Sequence, residues 1–501
     1  MSSQNSVPAE IRAILAHSPG GSPIRPNTPV FPLEAPSATA SFIDPTVTIR
    51  SGGRATLGQK DFIAPFVTLD ATRGLIKIGS SSTIQDHAKL IANPNHQSGL
   101  TGIFVGDNVV ILDGAVIRGA SAIGTVGGSA TMIGANALID NAIIEPGAIV
   151  GALARVGPGV VVPTGYRVLF GANVTTSAQG SDPSLGKVVR VTSSETATAT
   201  RLVADNVALA SGYTTLYQGS SATGGVSSAG PVPVPISAGG STIFFGALNT
   251  VLGASNEPGS RNVNFEPASG TPQFLSAAGP LASLGSNASF HFPARVIGAV
   301  TFNQTPGQVI AALGRGDSIR ADEGQPFTFG SIARLGNGVS IHSPGGGVQG
   351  TTTTTVTTST TAGGTTTTST TASVATSTGA PTVSAGTTTV TTSGTNAQGV
   401  TFTGTTTTTI ATRTTNLGAI NVGRSFRALG GAVVLGGPGA TSNFGDGVTI
   451  GAGAVVFTSS IGSGSTIGNR AYIANSTIPA GSIVPAGAII INNTIVGTVQ
   501  W

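Results

Sequence analysis

In a chain where only 8% of residues are charged, ionisable side chains that fall close together stand out. Residues 318–329 read SIRADEGQPFTF and hold Arg320, Asp322 and Glu323 just after the apolar Ile319. Thirteen residues beyond Phe329, the stretch NGVSIH ends on His342, one of five histidines. Together these types supply a permanent cation, two carboxylates that can hold or move protons, and an imidazole able to titrate or ligate a metal. Two earlier stretches add to the inventory. IGSSSTIQDHAKLI (78–91) carries Gln85, Asp86 and His87, and VGDNVVILDGAVIRG (105–119) carries Asp113 and Arg118. His96 sits in NPNHQSGLTG (93–102), which reads as a loop, while His17 and His291 have no chemical company.

The elements that must position these groups are strands. The 501 residues include 73 Gly and 29 Pro, and the 39% that are hydrophobic are mainly small or branched, with 5% aromatic. Glycine and β-branched residues make weak helices, so an all-β chain rich in turns is expected. The net charge of +4 comes from 23 basic and 19 acidic residues without a basic cluster interleaved with aromatics, which argues against nucleic acid as a partner. There is no cysteine, hence no disulfide, thiolate ligand or thiol nucleophile. No apolar run is long enough for a transmembrane segment. The start, MSSQNSVPAEIRAILAHSPGGSP, has no basic region followed by an apolar core, which favours the cytoplasm, whereas a Thr-rich tract further on suggests a cell surface. Both compartments stay open.

A six-residue period organises most of the rest. It runs through IGSSST IQDHAK (78–89), VGDNVV ILDGAV IRGASA (105–122) and VGALAR VGPGVV VPTGYR (150–167). It returns in FGSIAR LGNGVS IH (329–342), FGDGVT IGAGAV (444–455), IGSGST IGNRAY (461–472) and IPAGSI VPAGAI (478–489). One aliphatic residue opens each block, and Gly recurs where a turn needs positive φ. A hexapeptide period of this kind predicts a parallel β-helix whose aliphatic positions stack from coil to coil. The predicted layout is an N-terminal arm (1–42), a first β-helix (43–185), and a connecting segment of irregular β structure (186–295). A second β-helix follows in two parts (296–350 and 417–501), interrupted by a Thr-rich insertion (351–416) that begins TTTTTVTTSTTAGG. Thr favours strands, so the insertion is expected as extended β structure, with a solvated or O-glycosylated spacer as the other reading.

At SIRADEGQPFTFGSIARLGNGVSIHSP (318–344) the sequence resembles the γ-class carbonic anhydrases, and the resemblance covers 43–185 and 296–490 as two tandem copies. It implies left-handed parallel β-helices, a homotrimer and zinc held between subunits. It gives Arg320 and Asp322 as an intersubunit ion pair, Glu323 as the proton-transfer carboxylate and His342 as the first zinc ligand. Gly430 and Leu435 stand where the other two zinc histidines belong. The first copy keeps the family's Gln-Asp pair as Gln85-Asp86, has Ile91 at the first histidine, and places Asp113 and Arg118 at the others. Catalytic zinc requires three protein ligands and an open position. Counted within each copy, that set is missing, so no cofactor is expected, His342 is an incomplete metal site, and an Asp113–Arg118 salt bridge is expected in the vacated space. The main expectation is therefore a non-catalytic, trimeric structural or assembly protein. The alternative is an enzyme, either a carbonic anhydrase with an altered zinc site or a hexapeptide-repeat acyltransferase with His96 as general base and coenzyme A between subunits.

Overall fold

The computed structural model describes residues 39–44, 46–51, 54–94, 99–218, 237–238, 243–245, 263–266, 273–274, 294–298, 300–323, 326–344, 354–362, 365–373, 383–395, 401–413, 418–437 and 440–501. Most of the N-terminal arm, together with His17, His96 and His291, lies outside them. The chain divides into two units, residues 1–346 with 417–501, and residues 347–416.

The larger unit contains two three-sided parallel β-helices, the architecture that the hexapeptide period predicts. The three sheets of the first have nine, seven and seven strands, and those of the second nine, seven and five. Neighbouring strands within a sheet come from successive coils. Each sheet therefore stacks one repeat position upon itself. In the first β-helix one such ladder runs Ile43, Ile63, Ile84, Ile111, Ile133, Val150, Val168. Another runs Ile49, Leu69, Leu90, Ile117, Ile139, Val156, Val174. The second β-helix has the equivalent Val296, Ile319, Ile341, Val434, Val456, Ile473, Ile490. All of these side chains are buried. Small and branched residues suffice because the ladder supplies each with its neighbours above and below.

Corners explain much of the glycine. Three residues after the first ladder, Phe66, His87, Gly114, Asn136, Leu153 and Gly171 all take left-handed backbone with φ between 54° and 66°. The conformation is strained for side-chain-bearing residues, so Gly or Asn is the natural occupant. His87 occupies such a corner, its ring stacked on Phe66 with centroids 5.4 Å apart and its Nε2 against the Gly316 carbonyl.

The connecting segment differs from the irregular β structure expected. It opens with a 26-residue α-helix, Ser193–Gln218, as well as short strands. A capping box starts the helix: the Glu195 amide donates to Thr192 Oγ1, and the Thr192 amide donates to Glu195 Oε2. Leu202, Leu209, Ala210 and Tyr213 then share one buried face. Tyr213 stacks on Phe42 and Phe62 of the first β-helix. Further on, Ile243–Phe245 extends a sheet of the first β-helix, and Val263–Glu266 opens a sheet of the second.

The two β-helices face each other through their nine-stranded sheets. Outward positions of the second form two columns, Arg295, Ser318, Ser340, Val433, Val455, Tyr472, Ile489 and Ile297, Arg320, His342, Leu435, Phe457, Ala474, Ile491. The first column is polar through Arg295, Ser318 and Ser340 and the second, after Ile297, through Arg320 and His342; both are apolar afterwards. The facing corners of the first β-helix change in step, from Asp86 and Asp113 to Ala135, Ala152 and Phe170. The apolar halves share one buried cluster containing Ala135, Ala152, Leu153, Val433, Leu435 and Tyr472. At the chain end, Thr494–Thr498 pairs antiparallel with Ala488–Ile491, and the next residues reach the first β-helix. The Gln500 amide donates to the Gly171 carbonyl and Trp501 Nε1 to the Leu153 carbonyl.

The smaller unit is a four-stranded antiparallel sheet built from Thr354–Ala362, Thr365–Ser373, Val383–Thr395 and Thr401–Arg413. Its last two strands pair over all thirteen residues without a register break, so the tract forms extended β structure.

The stacked-ladder description separates two isoleucines sharply. Ile117 is 0% exposed and Ile483 is 82% exposed. Ile117→Ala is expected to cost about 2–5 kcal/mol, and Ile483→Ala within about 0.5 kcal/mol, read from urea unfolding of the full chain.

Candidate functional site

The polar half of the interface gathers nearly every residue singled out from the sequence. Strand Asp317–Ala321 places Ile319 in the core, so Ser318 and Arg320 on either side point to the first β-helix. Strand Ser340–His342 repeats the arrangement one coil later, with Ile341 inward and Ser340 and His342 outward. Opposite them, Gln85, Asp86 and Asp113 sit at corners just past Thr83–Ile84 and Val109–Ile111.

Arg320 is the hub. Its Nη1 donates to Asp322 Oδ2 at 2.8 Å and its Nη2 to Gln85 Oε1 at 2.7 Å, while Asp86 Oδ2 lies 2.8 Å from Nη2. Gln85 Nε2 donates to Asn206 Oδ1 of the long helix at 2.8 Å, and Tyr213 of the same helix donates to Asp322 Oδ2 at 2.7 Å. The loop closes on itself: helix, first β-helix, arginine, aspartate, helix. One coil on, His342 Nδ1 lies 3.0 Å from Asp113 Oδ1, which also accepts from Ser340 Oγ at 2.5 Å. Asp86 Oδ1 accepts from Ser318 Oγ at 2.6 Å. A second buried pair spans the same interface, Arg295 Nε to Asp44 Oδ2 at 2.8 Å.

Burial governs the protonation of this cluster. Burial alone would lower the Arg320 pKa, but Asp322 and Asp86 outweigh it and hold the guanidinium well above its ordinary value. Burial would likewise push His342 down, yet the Asp113 carboxylate keeps it raised. Asp113 is raised by burial and lowered more by His342, its hydrogen bonds and Arg320, so the two form an imidazolium–carboxylate pair. For Glu323 the opposing charges of His342 and Arg320 are the smaller effects. Burial first, then the charges of Asp322 and Asp205, push it up to about 8.

Asp86, Asp113 and His342 bring three candidate metal-ligand atoms within 4.8 Å of one another. They come from both β-helices, which is why counting ligands inside one copy does not find them. The set nonetheless does not fit the zinc of the resembled family. Both Asp86 oxygens are engaged, by Ser318 and by a guanidinium whose charge opposes a dication. His342 Nδ1 is taken up by Asp113, whose charge raises the imidazole's pKa. All three residues are at most 1% exposed, with no open position for water. Asp113 Oδ2 and His342 Nε2 do lack hydrogen-bond partners among the described residues, but one imidazole edge and one carboxylate oxygen make a two-point site.

Two expectations change in position. The Asp113–Arg118 bridge is not formed; Arg118 instead pairs with Asp140 at 2.6 Å on a different sheet, because consecutive sheets point their outward residues in different directions. The Arg320–Asp322 pair does lie at an interface, but between two β-helices of one chain. Gln85, Asp322, Glu323 and His342 join the cluster, and Ile91 stands exposed on another sheet. Asn206, Tyr213, Asp44 and Arg295 are the members that sequence reasoning missed. For the first two, the Thr192-x-x-Glu195 capping box with apolar residues at helical spacing was the available signal.

No protein-family profile and no curated protein matches the chain. Among solved structures, it is similar to a putative acetyltransferase from Bacillus cereus, 19% identical, covering 36% of this chain and 91% of that one at a TM-score of 0.28. It is also similar to a hexapeptide transferase family protein from Anaplasma phagocytophilum, 21% identical, covering 35% and 92% at 0.25. A third is a variant of perosamine N-acetyltransferase from Caulobacter crescentus in complex with coenzyme A and GDP-perosamine, 20% identical, covering 26% and 53% at 0.13.

Arg320→Ala would leave Asp86 and Asp322 buried without their cation, and is expected to cost about 3–5 kcal/mol. Asp86→Ala added to it should cost far less than Asp86→Ala alone, and denaturant titrations of the two singles and the double measure that coupling. Glu323 binds its proton more tightly folded than unfolded, with the ordinary value at 4.5 and the folded one about 8. Stability is therefore expected to fall as pH rises between those values. Glu323→Gln should reduce that slope, leaving a residual one of the same sign from Asp61, Asp44 and His342, whose folded values are also raised, in unfolding midpoints measured from about pH 5 to about pH 9.

Proposed function

We propose that this chain is a non-catalytic structural or assembly protein, resembling a γ-class carbonic anhydrase, in which the residues of the resembled site hold two β-helices together. The observation that carries this reading is the engagement of Arg320. Its guanidinium is 0% exposed and committed to Asp86, Asp322 and Gln85, so it has no face to offer a substrate. Glu323, 3% exposed, is buried away from the bulk water with which a proton-transfer carboxylate exchanges its proton. Homotrimeric assembly, implied by the resemblance, is part of the proposal.

The second reading is an enzyme. Hexapeptide-repeat acyltransferase chemistry would rest on His96 as general base and a coenzyme A ester as donor. Carbonic anhydrase chemistry would rest on a metal dependent on His342. One panel on purified full-length protein separates the readings. The structural reading expects substoichiometric zinc by elemental analysis, no CO₂ hydration, no thermal shift with acetyl coenzyme A, and a trimeric mass in solution. Stoichiometric zinc lost on His342→Ala, or a coenzyme A shift abolished by His96→Ala, would replace it with the corresponding enzyme. A monomeric mass would remove the assembly part.

A further inference from the structure

Where the two facing sheets turn apolar they part to leave a cleft of about 350 Å³, roofed by the first turns of the long helix. That size lies in the range of small-molecule sites, which are characteristically apolar with a few converging polar groups. Small corner residues of the first β-helix, Gly134, Ala135, Gly151 and Ala152, make the room. Leu112, Met132, Leu435, Val455 and Phe457 supply the apolar walls.

Its polar groups are few. Tyr472 is 6% exposed with its ring stacked on Phe170 at 4.4 Å, and its hydroxyl makes no hydrogen bond among the described residues. Arg167 and Glu195 neutralise each other at 2.8 Å. Arg201 is different: its one ionic neighbour, Asp205, is 3.8 Å away, beyond hydrogen-bonding distance, and its buried Nε has no hydrogen-bond partner among the described residues. One side of the cleft thus holds a guanidinium in a long ion pair with Asp205 and a phenol donor, beside the polar Ser194, Thr198 and Asn475, and the remaining walls are apolar.

We propose that this cleft binds a small amphipathic monocarboxylate, its aliphatic body between the sheets and its carboxylate on Arg201 with the Tyr472 hydroxyl nearby. A planar guanidinium matches a carboxylate in a two-point contact. The nearby carboxylates of Glu195 and Asp205 disfavour a dianion such as a phosphate monoester. Both β-helices and the helix contribute walls, so an occupant would stabilise their union by binding only the folded chain. The site adjoins the Arg320 cluster but does not depend on the function proposed above.

Decanoate, kept below its micellar concentration, is the probe, with decan-1-ol and acetate as the headless and tailless controls. Calorimetric titration of the full-length protein is expected to show one decanoate per chain with a rise in thermal midpoint, weaker binding of decanol by about tenfold, and none of acetate. Arg201→Gln, at a side chain that is 29% exposed, keeps the fold and should bring decanoate down to the affinity of decanol. Ala474→Leu, which fills the cleft, should abolish both. Absence of saturable decanoate binding, several equivalents per chain, or an affinity unchanged by Arg201→Gln would overturn the proposal. Should Ala474→Leu fail to fold, the Arg201→Gln and decanol comparisons decide the matter alone.

Discussion

A buried guanidinium cannot lose its proton and cannot be left alone, and much of this molecule is arranged around that constraint. Arg320 is fully enclosed, so two aspartates and a glutamine from different parts of the chain must converge on it. The long helix takes up the remaining Gln85 amide through Asn206, and its Tyr213 adds a second donor to the Asp322 oxygen that Arg320 already holds. A salt bridge of this kind gives limited net stability, because desolvation offsets most of the attraction. What it gives is intolerance of alternatives. Any arrangement of the two β-helices that separates Arg320 from Asp86 leaves charges in a medium that cannot screen them.

One coil beyond Arg320, Asp113 of the first β-helix stands across from His342 of the second. The pair joins the two surfaces through opposite charges buried away from water.

How much of this was legible follows from the range of each interaction. The hexapeptide period is local, and it revealed the β-helices and the inward ladders. The structure adds that alternation around Ile319 and Ile341 puts Arg320 and His342 on one outward face. The partner across the interface was not legible, since Asp113 and His342 are 229 residues apart and no local pattern links them. Assuming that each copy fills its own site led to the Asp113–Arg118 expectation, which fails because the two residues face different neighbours. The long helix was hidden by composition. Threonine and alanine dominate SSETATATRLVADNVALASGYTTLYQ, and its helical signals lie in one capping box and a sparse apolar face. Arg295 and Asp44 belong to opening coils, where the period is only beginning.

The change of character along the paired sheets works as a vernier. Adjacent coils are about 4.8 Å apart, and a parallel β-helix looks nearly the same after one such step, so two of them could slide past each other with little loss of apolar contact. Polar outward positions at one end and apolar ones at the other break that translational symmetry. A one-coil displacement one way would bring His342 opposite Ala135, and the other way would bring Arg320 opposite Pro65. Repetition makes each β-helix easy to build, and a handful of non-repeating charges tells the two where to stop.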